Sequence, residues 1–564
     1  MMEKIVQIPE YWRTVGQMLL GEGVGLGRLT SVLAESYGER PAIFADRAPL
    51  GLEDRSSWTY ATLEEDVARL AAAHEAFGHG EGRRVLVILQ NRIDVLFHLF
   101  AVARAGGVPV PVNARLKAEE LGAILEVTQA QAVVADGDVL GRMHEGGLLR
   151  SDLRACWSGH GAMPKAEQVR DLVDWLASHT TESIKAMGTD DPNEVALLLC
   201  TSGTTGKPKA AALTSAGLLG TLGRLLAAPV GLQVGWRKGR DLLMCALPLT
   251  HVMGLSAHFA ALCAGIRLLH LESFEPDVFL SRLEAERPNV IVGVPTMYAD
   301  LERAGAAERD LSSVQLWVSG ADVMPPDRAR RFQRYGALTQ VFGRPLGTAI
   351  FADIYGMVEL SGPMALRLYP SSPSHQIDLP VLSFVLPGFE VRAVDEQGRV
   401  VGWGRVGGLQ VRGAGVLKTY EGAADAGPDA DGWFTTGDLA RVWPGGLFSF
   451  VGRSRDRLKV GGFSVFPAEV EEILRSYPEV AEVTVVGLPD SRLGERPVAL
   501  LIPKRSPEQF DTEAFLVWAA EHVAGYRRPR QVFVVSTLPR GNHGKINRSE
   551  ATRLALQIAA QSEE

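Results

Sequence analysis

Apolar positions in the first half of the chain recur with two periods, and segments of each kind alternate. Residues 63–77 (LEEDVARLAAAHEAF) place Val67, Leu70, Ala71 and His74 at helical spacing and stop at Gly78, a residue suited to ending a helix. Residues 84–89 (RVLVIL) form a short β-rich run of the kind buried on both faces of a parallel sheet. Residues 94–105 read as a helix closed by Gly106 and Gly107, 108–112 as a strand, 119–127 as a helix and 132–135 as a strand. Further strand patterns at 241–247, 266–271 and 289–294 continue the alternation, which predicts an α/β architecture with parallel sheet. Past Gly388, short strands between Gly-rich turns predict a small antiparallel, β-barrel-like portion. From Gly452 onward a mixed unit follows, with helices over 467–475 and 512–523 and strands near 483–486 and 498–502. The expected fold class is α/β: a large N-terminal domain of stacked α/β subdomains with the barrel-like portion, residues 1–452, and a small α+β C-terminal domain, residues 453–564.

Composition narrows the class. A chain of 564 residues exceeds a single core, so several domains or subdomains are expected. A net charge of −8 argues against a nucleic-acid binder, whose electrostatics call for a basic face. The four cysteines, Cys156, Cys200, Cys245 and Cys263, form no CxxC pair, so they read as small buried apolar residues in a reducing compartment. Neither a secretory leader at the N-terminus nor an uninterrupted run of about eighteen apolar residues is present, which leads us to expect a cytoplasmic protein with no transmembrane segment.

The densest chemistry lies at 197–209, LLLCTSGTTGKPK. An apolar run feeds a loop of hydroxyls and glycines and ends in Lys207 and Lys209. Gly203 and Gly206 let the main chain approach a ligand closely, successive N–H groups form an anion nest, and the lysines add point charges. Such a loop suits a polyphosphate. It is not a Walker A loop, because only two residues separate the glycines and Pro208 follows the lysine where a helix should run.

Three further clusters follow in order: DIYGMVE at 353–359, DGWFTTGD at 431–438 and LPRGNHGKINR at 538–548. With SWTYATL (57–63), PLTHVMGL (248–255), VPTMY (294–298), SGAD (319–322) and GRSRDRLKVGG (452–462), the chain resembles the adenylate-forming superfamily of acyl-CoA synthetases, adenylation domains and firefly-type luciferases from about Leu29 to Arg553. The resemblance implies a two-step reaction in which a carboxylic acid and ATP give an acyl-adenylate, and coenzyme A then displaces AMP. It implies that Thr201, Ser202, Gly203, Thr205, Gly206, Lys207 and Lys209 grip the phosphates, with Thr204 among the catalytic hydroxyls, and that Glu359 holds Mg2+. Tyr355 and Gly356 would cradle adenine, with Asp353, Gly320 and Ala321 at its edge, and Asp438 and Arg453 would hold the ribose. Lys545 would neutralise charge developing at the α-phosphate, as a flexible point charge is suited to do. The C-terminal domain is implied to be mobile, turning at Arg455, after which Gly461 and Gly462 line the pantetheine tunnel. His251 and Gly254 are expected at the acyl pocket.

The chain departs from the family pattern at Val358, which stands where a Thr hydroxyl usually approaches phosphate. One missing bond to a charged group costs about 1.5–3 kcal/mol. The acyl-pocket segments carry no acid or base suited to an amino-acid ammonium, so the expected substrate is a fatty or other apolar acid. Loading of a separate carrier protein and a catalytically weak nucleotide-binding homologue stay open as alternatives, and a homodimer is left open.

Overall fold

A computed structural model of the chain describes residues 24–47, 49, 55–179, 191–202, 208–227, 237–341, 344–369, 382–422, 427–461, 463–490, 492–541 and 546–561. It divides into two compact units, one comprising Met1–Asp378, Ser383–Phe389 and Arg412–Phe434, the other Leu379–Leu382, Glu390–Val411 and Thr435–Glu564. The boundary expected at 452 and 453 falls within the second unit, because the strands of the barrel-like portion group with the C-terminal residues.

The first unit holds two layered sheets. One has five parallel strands in the order Val108–Pro111, Arg84–Ile88, Ala132–Ala135, Arg154–Trp157 and Val169–Asp171. Its central strands are apolar along their whole length because both faces are covered, and Leu86, Val133 and Val134 have no accessible surface. The chain order reverses between Arg84–Ile88 and Ala132–Ala135, a crevice where such sheets commonly take ligands. Here an ion-pair network fills it. Arg92 reaches both oxygens of Asp136 at 2.7 and 3.1 Å and Asp94 Oδ2 at 3.2 Å. Ser158 Oγ donates to Asp136 at 2.7 Å, and His160 Nε2 stands 2.9 Å from Asp94. Burial works against the Asp94 carboxylate, but the His160 contact and the Arg92 charge outweigh it and hold the group below its usual range.

The second sheet of this unit runs Ser57–Thr59, Pro41–Ala45, Arg267–His270, Leu242–Cys245, Val290–Gly293, Leu316–Gly320, Ile350–Met357, Gly362–Leu368 and Ser383–Val385. From Pro41–Ala45 to Ile350–Met357 neighbouring strands are parallel, and Gly362–Leu368 turns back antiparallel. The helix Val252–Ala264 is nearly all apolar and ends at Gly265, whose left-handed φ of 74° stops it. A two-stranded hairpin, Val195–Ser202 with Pro208–Thr214, completes the unit. Among the described residues no helix is long and apolar enough to cross a membrane.

In the second unit, Phe389–Val394, Val406–Gly413, Phe434–Trp443 and Leu447–Arg453 lie side by side in that order, as the Gly-rich texture past Gly388 predicts. A five-stranded sheet follows, in which Val480–Asp490 and Gly494–Pro503 pair antiparallel over their length and Gln531–Val534 pairs parallel with the latter. Helices Pro467–Leu474 and Thr512–His522 share one core with it, and Arg548–Gln561 contributes to a second.

Two buried histidine chains lie in the first unit. His79 Nδ1 is 2.8 Å from His74 Nδ1, and His74 Nε2 is 2.9 Å from His98 Nδ1. His258 Nε2 is 2.9 Å from His270 Nδ1. Burial pushes His79 and His258 down to about 3 and His98 to about 4. The unfolded chain binds protons on these rings below about pH 6.5 and the folded chain does not, so stability is present above that pH and is lost as pH falls. Stability in urea titrations is expected to drop between pH 6.5 and 5 by about 1.4 kcal/mol per pH unit for each such ring, and the buried Asp353 carboxyl, pushed up to about 7, offsets the share of one ring. A midpoint constant over that interval would contradict neutral buried rings. Arg92→Ala leaves Asp136 and Asp94 uncompensated and is expected to cost about 3–5 kcal/mol in the same assay; a loss under 1 kcal/mol would show the network to be dispensable.

Candidate active site

The hairpin carries the hydroxyl- and lysine-rich loop between its strands. Thr201 pairs with Lys209 and Ser202 with Pro208 in the antiparallel ladder, so Pro208 begins a strand and not the helix that follows a P-loop lysine. Gly203, Thr204, Thr205, Gly206 and Lys207 lie outside the described residues. The hairpin has a third neighbour: Ala212 N donates to Thr419 O at 3.3 Å, Glu421 N donates to Ala210 O at 2.8 Å, and Ala211 bridges Tyr420. This pairing brings Tyr420 beside two expected site residues. Its hydroxyl donates to Glu359 Oε1 at 2.8 Å, and Lys209 Nζ lies 5.1 Å from the centre of its ring. Burial and the neighbouring Glu359 charge raise the Tyr420 phenol, which therefore stays a donor at neutral pH.

Glu359 sits in a 3-10 turn, Val358–Leu360, and is buried. Its Oε1 is oriented by the Tyr420 hydroxyl. Among the described residues no cluster of three or more His, Cys, Asp or Glu forms a metal cage. A hard cation at Glu359 would therefore complete its shell with phosphate oxygens and water, as Mg2+ commonly does.

The strand Ile350–Met357 is read on both faces. Ala352, Ile354 and Gly356 line a tunnel, while Asp353 and Tyr355 alternate with them. Asp353 is buried, with Tyr369 Oη 3.4 Å from its Oδ2 and Arg367 Nη1 at 3.7 Å. Burial pushes this carboxyl up to about 7 against the Arg367 charge and the Tyr369 bond. Its Oδ1 has no hydrogen-bond partner among the described residues, which suits an atom meant for a ligand amine. Gly320 ends the neighbouring strand, and Ala321 beyond it takes a left-handed φ of 69°. Gly356 has no room for a side chain: a Cβ would stand 2.2 Å from Gly362 O.

The tunnel, an open volume of about 920 Å³ including its mouth, runs between the helix Val252–Ala264 and the sheet. Leu243, Val290 and Leu316 form its deep end, and Gly356 and Gly362, flanking the Glu359 turn, border the other. Among the described lining residues Ser256 carries the one polar side chain, and none is charged. Gly254 is not in the lining but faces the Pro248 carbonyl, and His251 is the N-cap of the helix, with its N–H donating to Pro248 O at 3.2 Å.

In the second unit Asp438 and Arg453 face each other across a ladder, with Nη1 to Oδ1 at 2.9 Å. Arg455 is exposed in the turn Ser454–Asp456. Gly461 takes a left-handed φ of 56° and donates to Leu493 O at 2.8 Å. Gly462 and Lys545 lie outside the described residues, but the chain on both sides of Lys545 is pinned. Arg540 bridges Ile546, Asn547 N donates to Pro539 O at 2.9 Å, and Arg548 forms a fork with buried Glu471 at 2.7 and 2.9 Å. Arg548 Nε also lies 3.3 Å from Asp456. Tyr420, Glu471 and Arg548 are contributions that motif reading misses. A buried Glu in a helix and an Arg just past Gly-Lys are the only traces of the fork in the sequence.

The sequence profile of the AMP-binding enzyme family matches residues 32–421, and that of the AMP-binding enzyme C-terminal domain matches 469–545. A feruloyl-CoA synthase from an Amycolatopsis species is 32% identical over 528 residues, covering 92% of this chain and 98% of that one. A CoA ligase for a methyl-dioxo-octahydroindenyl propanoyl group from Mycobacterium tuberculosis is 30% identical, covering 90% and 96%. The crystal structure of ATP-bound MatB from Rhodopseudomonas palustris superposes with a TM-score of 0.76 at 25% identity, over 95% of this chain and 100% of that one. The chain belongs to the AMP-binding enzyme family and is an adenylate-forming acid–thiol ligase.

Proposed function

We propose that this ligase joins an uncharged, largely apolar carboxylic acid to coenzyme A through an acyl-adenylate, with ATP cleaved to AMP and pyrophosphate. The observation that carries this reading is the uncharged tunnel ending at the Glu359 turn. An amino acid would leave its ammonium unpaired there, at a cost of several kcal/mol. The relatives named above act, by their names, on an aromatic acid and on a fused-ring acid, which favours a ring-bearing acid over a straight-chain fatty acid.

In the first step the acid's carboxylate oxygen attacks the α-phosphorus, the new C–O–P linkage forms and pyrophosphate leaves. Both reactants are anionic, so the site must supply fixed positive charge. Thr201 to Lys209 grip the β- and γ-phosphates, with Lys209 steadied over Tyr420. Glu359 would hold Mg2+, which when bound would supply further positive charge at the phosphates. Tyr355 and Gly356 take the adenine face, Asp353, Gly320 and Ala321 its edge, and Asp438 with Arg453 the ribose. Lys545 bridges carboxylate and α-phosphate. In the second step the thiol of coenzyme A attacks the acyl carbon and AMP leaves. The functional boundary lies at 452 and 453, and Arg455 is the hinge that exchanges Lys545 for the Lys459–Gly462 stretch between the steps. His251 sits at the junction of acid and thiol channels.

Acid-dependent exchange of radiolabelled pyrophosphate into ATP tests the reading. Ring-bearing apolar acids are expected to support exchange and CoA-dependent AMP release, whereas amino acids and dicarboxylates are not. ATP binding without exchange for any acid would favour a nucleotide-binding homologue weakened at Val358. AMP release with a phosphopantetheinylated carrier but not with coenzyme A would reassign the acceptor. Lys545→Ala is expected to lower adenylation at least a thousandfold while thioester formation from added acyl-adenylate stays within tenfold of wild type. Equal loss of both half-reactions would remove Lys545 from the first step.

A further inference from the structure

We infer that Tyr420 is a positioning residue that holds the Glu359 carboxylate and the Lys209 ammonium ready for ATP with its metal and keeps the two from neutralising each other. The inference rests on the roles that the proposed function gives to Glu359 and Lys209, and adds a residue that acts through both. The Tyr420 hydroxyl donates to Glu359 Oε1 at 2.8 Å, and Lys209 Nζ stands over the face of its ring, 5.1 Å from the centre.

Tyr420 is buried and has little freedom to be elsewhere. On one side of it Leu417 N donates to Glu359 O at 2.8 Å. On the other, Glu421 N donates to Ala210 O at 2.8 Å, and the Glu421 carboxylate meets Arg84 Nη2 at 2.7 Å. Ala211 bridges Tyr420 itself. The backbone is thus fixed to the Glu359 turn and to the hairpin at once, and a phenol adds only two torsions to it.

The choice of a tyrosine has a physical reason. A buried carboxylate needs a donor, and an ammonium on four flexible carbons needs a rest. The obvious partners are each other. An ion pair between them would satisfy both and cancel the two charges that a metal and a polyphosphate are to find. A phenol donates to the anion through its O–H, offers the cation the negative face of its ring, and carries no charge of its own. Both groups keep their full charge, one at the rim of the ring and the other above it. Removing a group that orients a metal ligand typically costs about tenfold to a hundredfold in metal affinity.

The test measures ATP binding to the full-length enzyme by titration calorimetry, once with Mg2+ in excess and once with a chelator, so the acid need not be known. Wild type is expected to bind ATP more tightly with Mg2+ than without. Tyr420→Phe keeps the ring under Lys209 and loses the bond to Glu359. ATP with Mg2+ should then bind about tenfold to a hundredfold more weakly, and metal-free ATP within about twofold of wild type. Tyr420→Leu loses the ring as well, and metal-free ATP should weaken about fivefold. Tyr420→Phe placed on Glu359→Ala should weaken binding with Mg2+ no further than Glu359→Ala alone, because the hydroxyl then has no carboxylate to orient. Equal weakening of both forms of ATP by Tyr420→Phe would overturn the inference by showing a general disturbance of the hairpin, and so would weakening of neither. Metal-free ATP bound by Tyr420→Leu as tightly as by wild type would overturn the part that concerns Lys209. A wild-type affinity that ignores Mg2+, or one that Glu359→Ala leaves unchanged, would overturn the assignment of the cation to Glu359, the reading on which the inference rests.

Discussion

The candidate site depends on a strand pairing that the chain makes late. A two-stranded hairpin is marginal in water by itself. Residues 419–421 supply the third partner, and in doing so bring the Tyr420 hydroxyl to Glu359 and its ring to Lys209. One aromatic side chain thus touches both Lys209 and Glu359, which lie 150 residues apart in sequence and to which the proposed function gives the phosphate and the cation. Without it Glu359 would be a buried carboxylate with no donor to orient it.

Charge is distributed unevenly in the first unit. The five-stranded sheet has its carboxyl-edge crevice closed by Arg92, Asp94, Asp136 and His160, so its ligand position is spent on holding subdomain loops. The larger sheet keeps its equivalent edge open and lines the space below with aliphatic side chains. Under the proposed function an acid in that space would keep its carboxylate at the end where Glu359 lies. The second unit uses the opposite device: Glu471 is charged although buried, because Arg548, Arg475 and the Val485 N–H surround it and hold its carboxyl below the usual range against the effect of burial.

Much of this was legible from periodicity. The strands 84–89, 132–135, 266–271 and 289–294 and the helices 94–105 and 467–475 match the structure to within a residue or two, because each buries a continuous apolar face. The strands Pro41–Ala45 and Ser57–Thr59 were not read, being short: the first is held by Arg267–His270, more than 200 residues away, and the second, at the sheet edge, by the first. Tyr420 escaped for the same reason, since its role exists only once the hairpin is beside it. Gly254 was expected at the acyl pocket from its motif, yet the helix directs residues 252, 253, 256, 257 and 260 toward the tunnel and turns 254 away, a consequence of 3.6 residues per turn.

The strand Ile350–Met357 gives the enzyme two independent coordinates. Its even-numbered residues Ala352, Ile354 and Gly356 line the tunnel, and Asp353 and Tyr355, which the proposed function gives to the nucleotide, alternate with them, separated only by the thickness of a backbone. Substitutions on one face leave the other in register, so their free energies should nearly add. Lineages can therefore explore new acids along this strand while ATP affinity stays under undisturbed selection. The same pleat sets a limit: a one-residue insertion would exchange the two sets of side chains at a stroke, so drift in substrate here must proceed by replacement and not by changes in length.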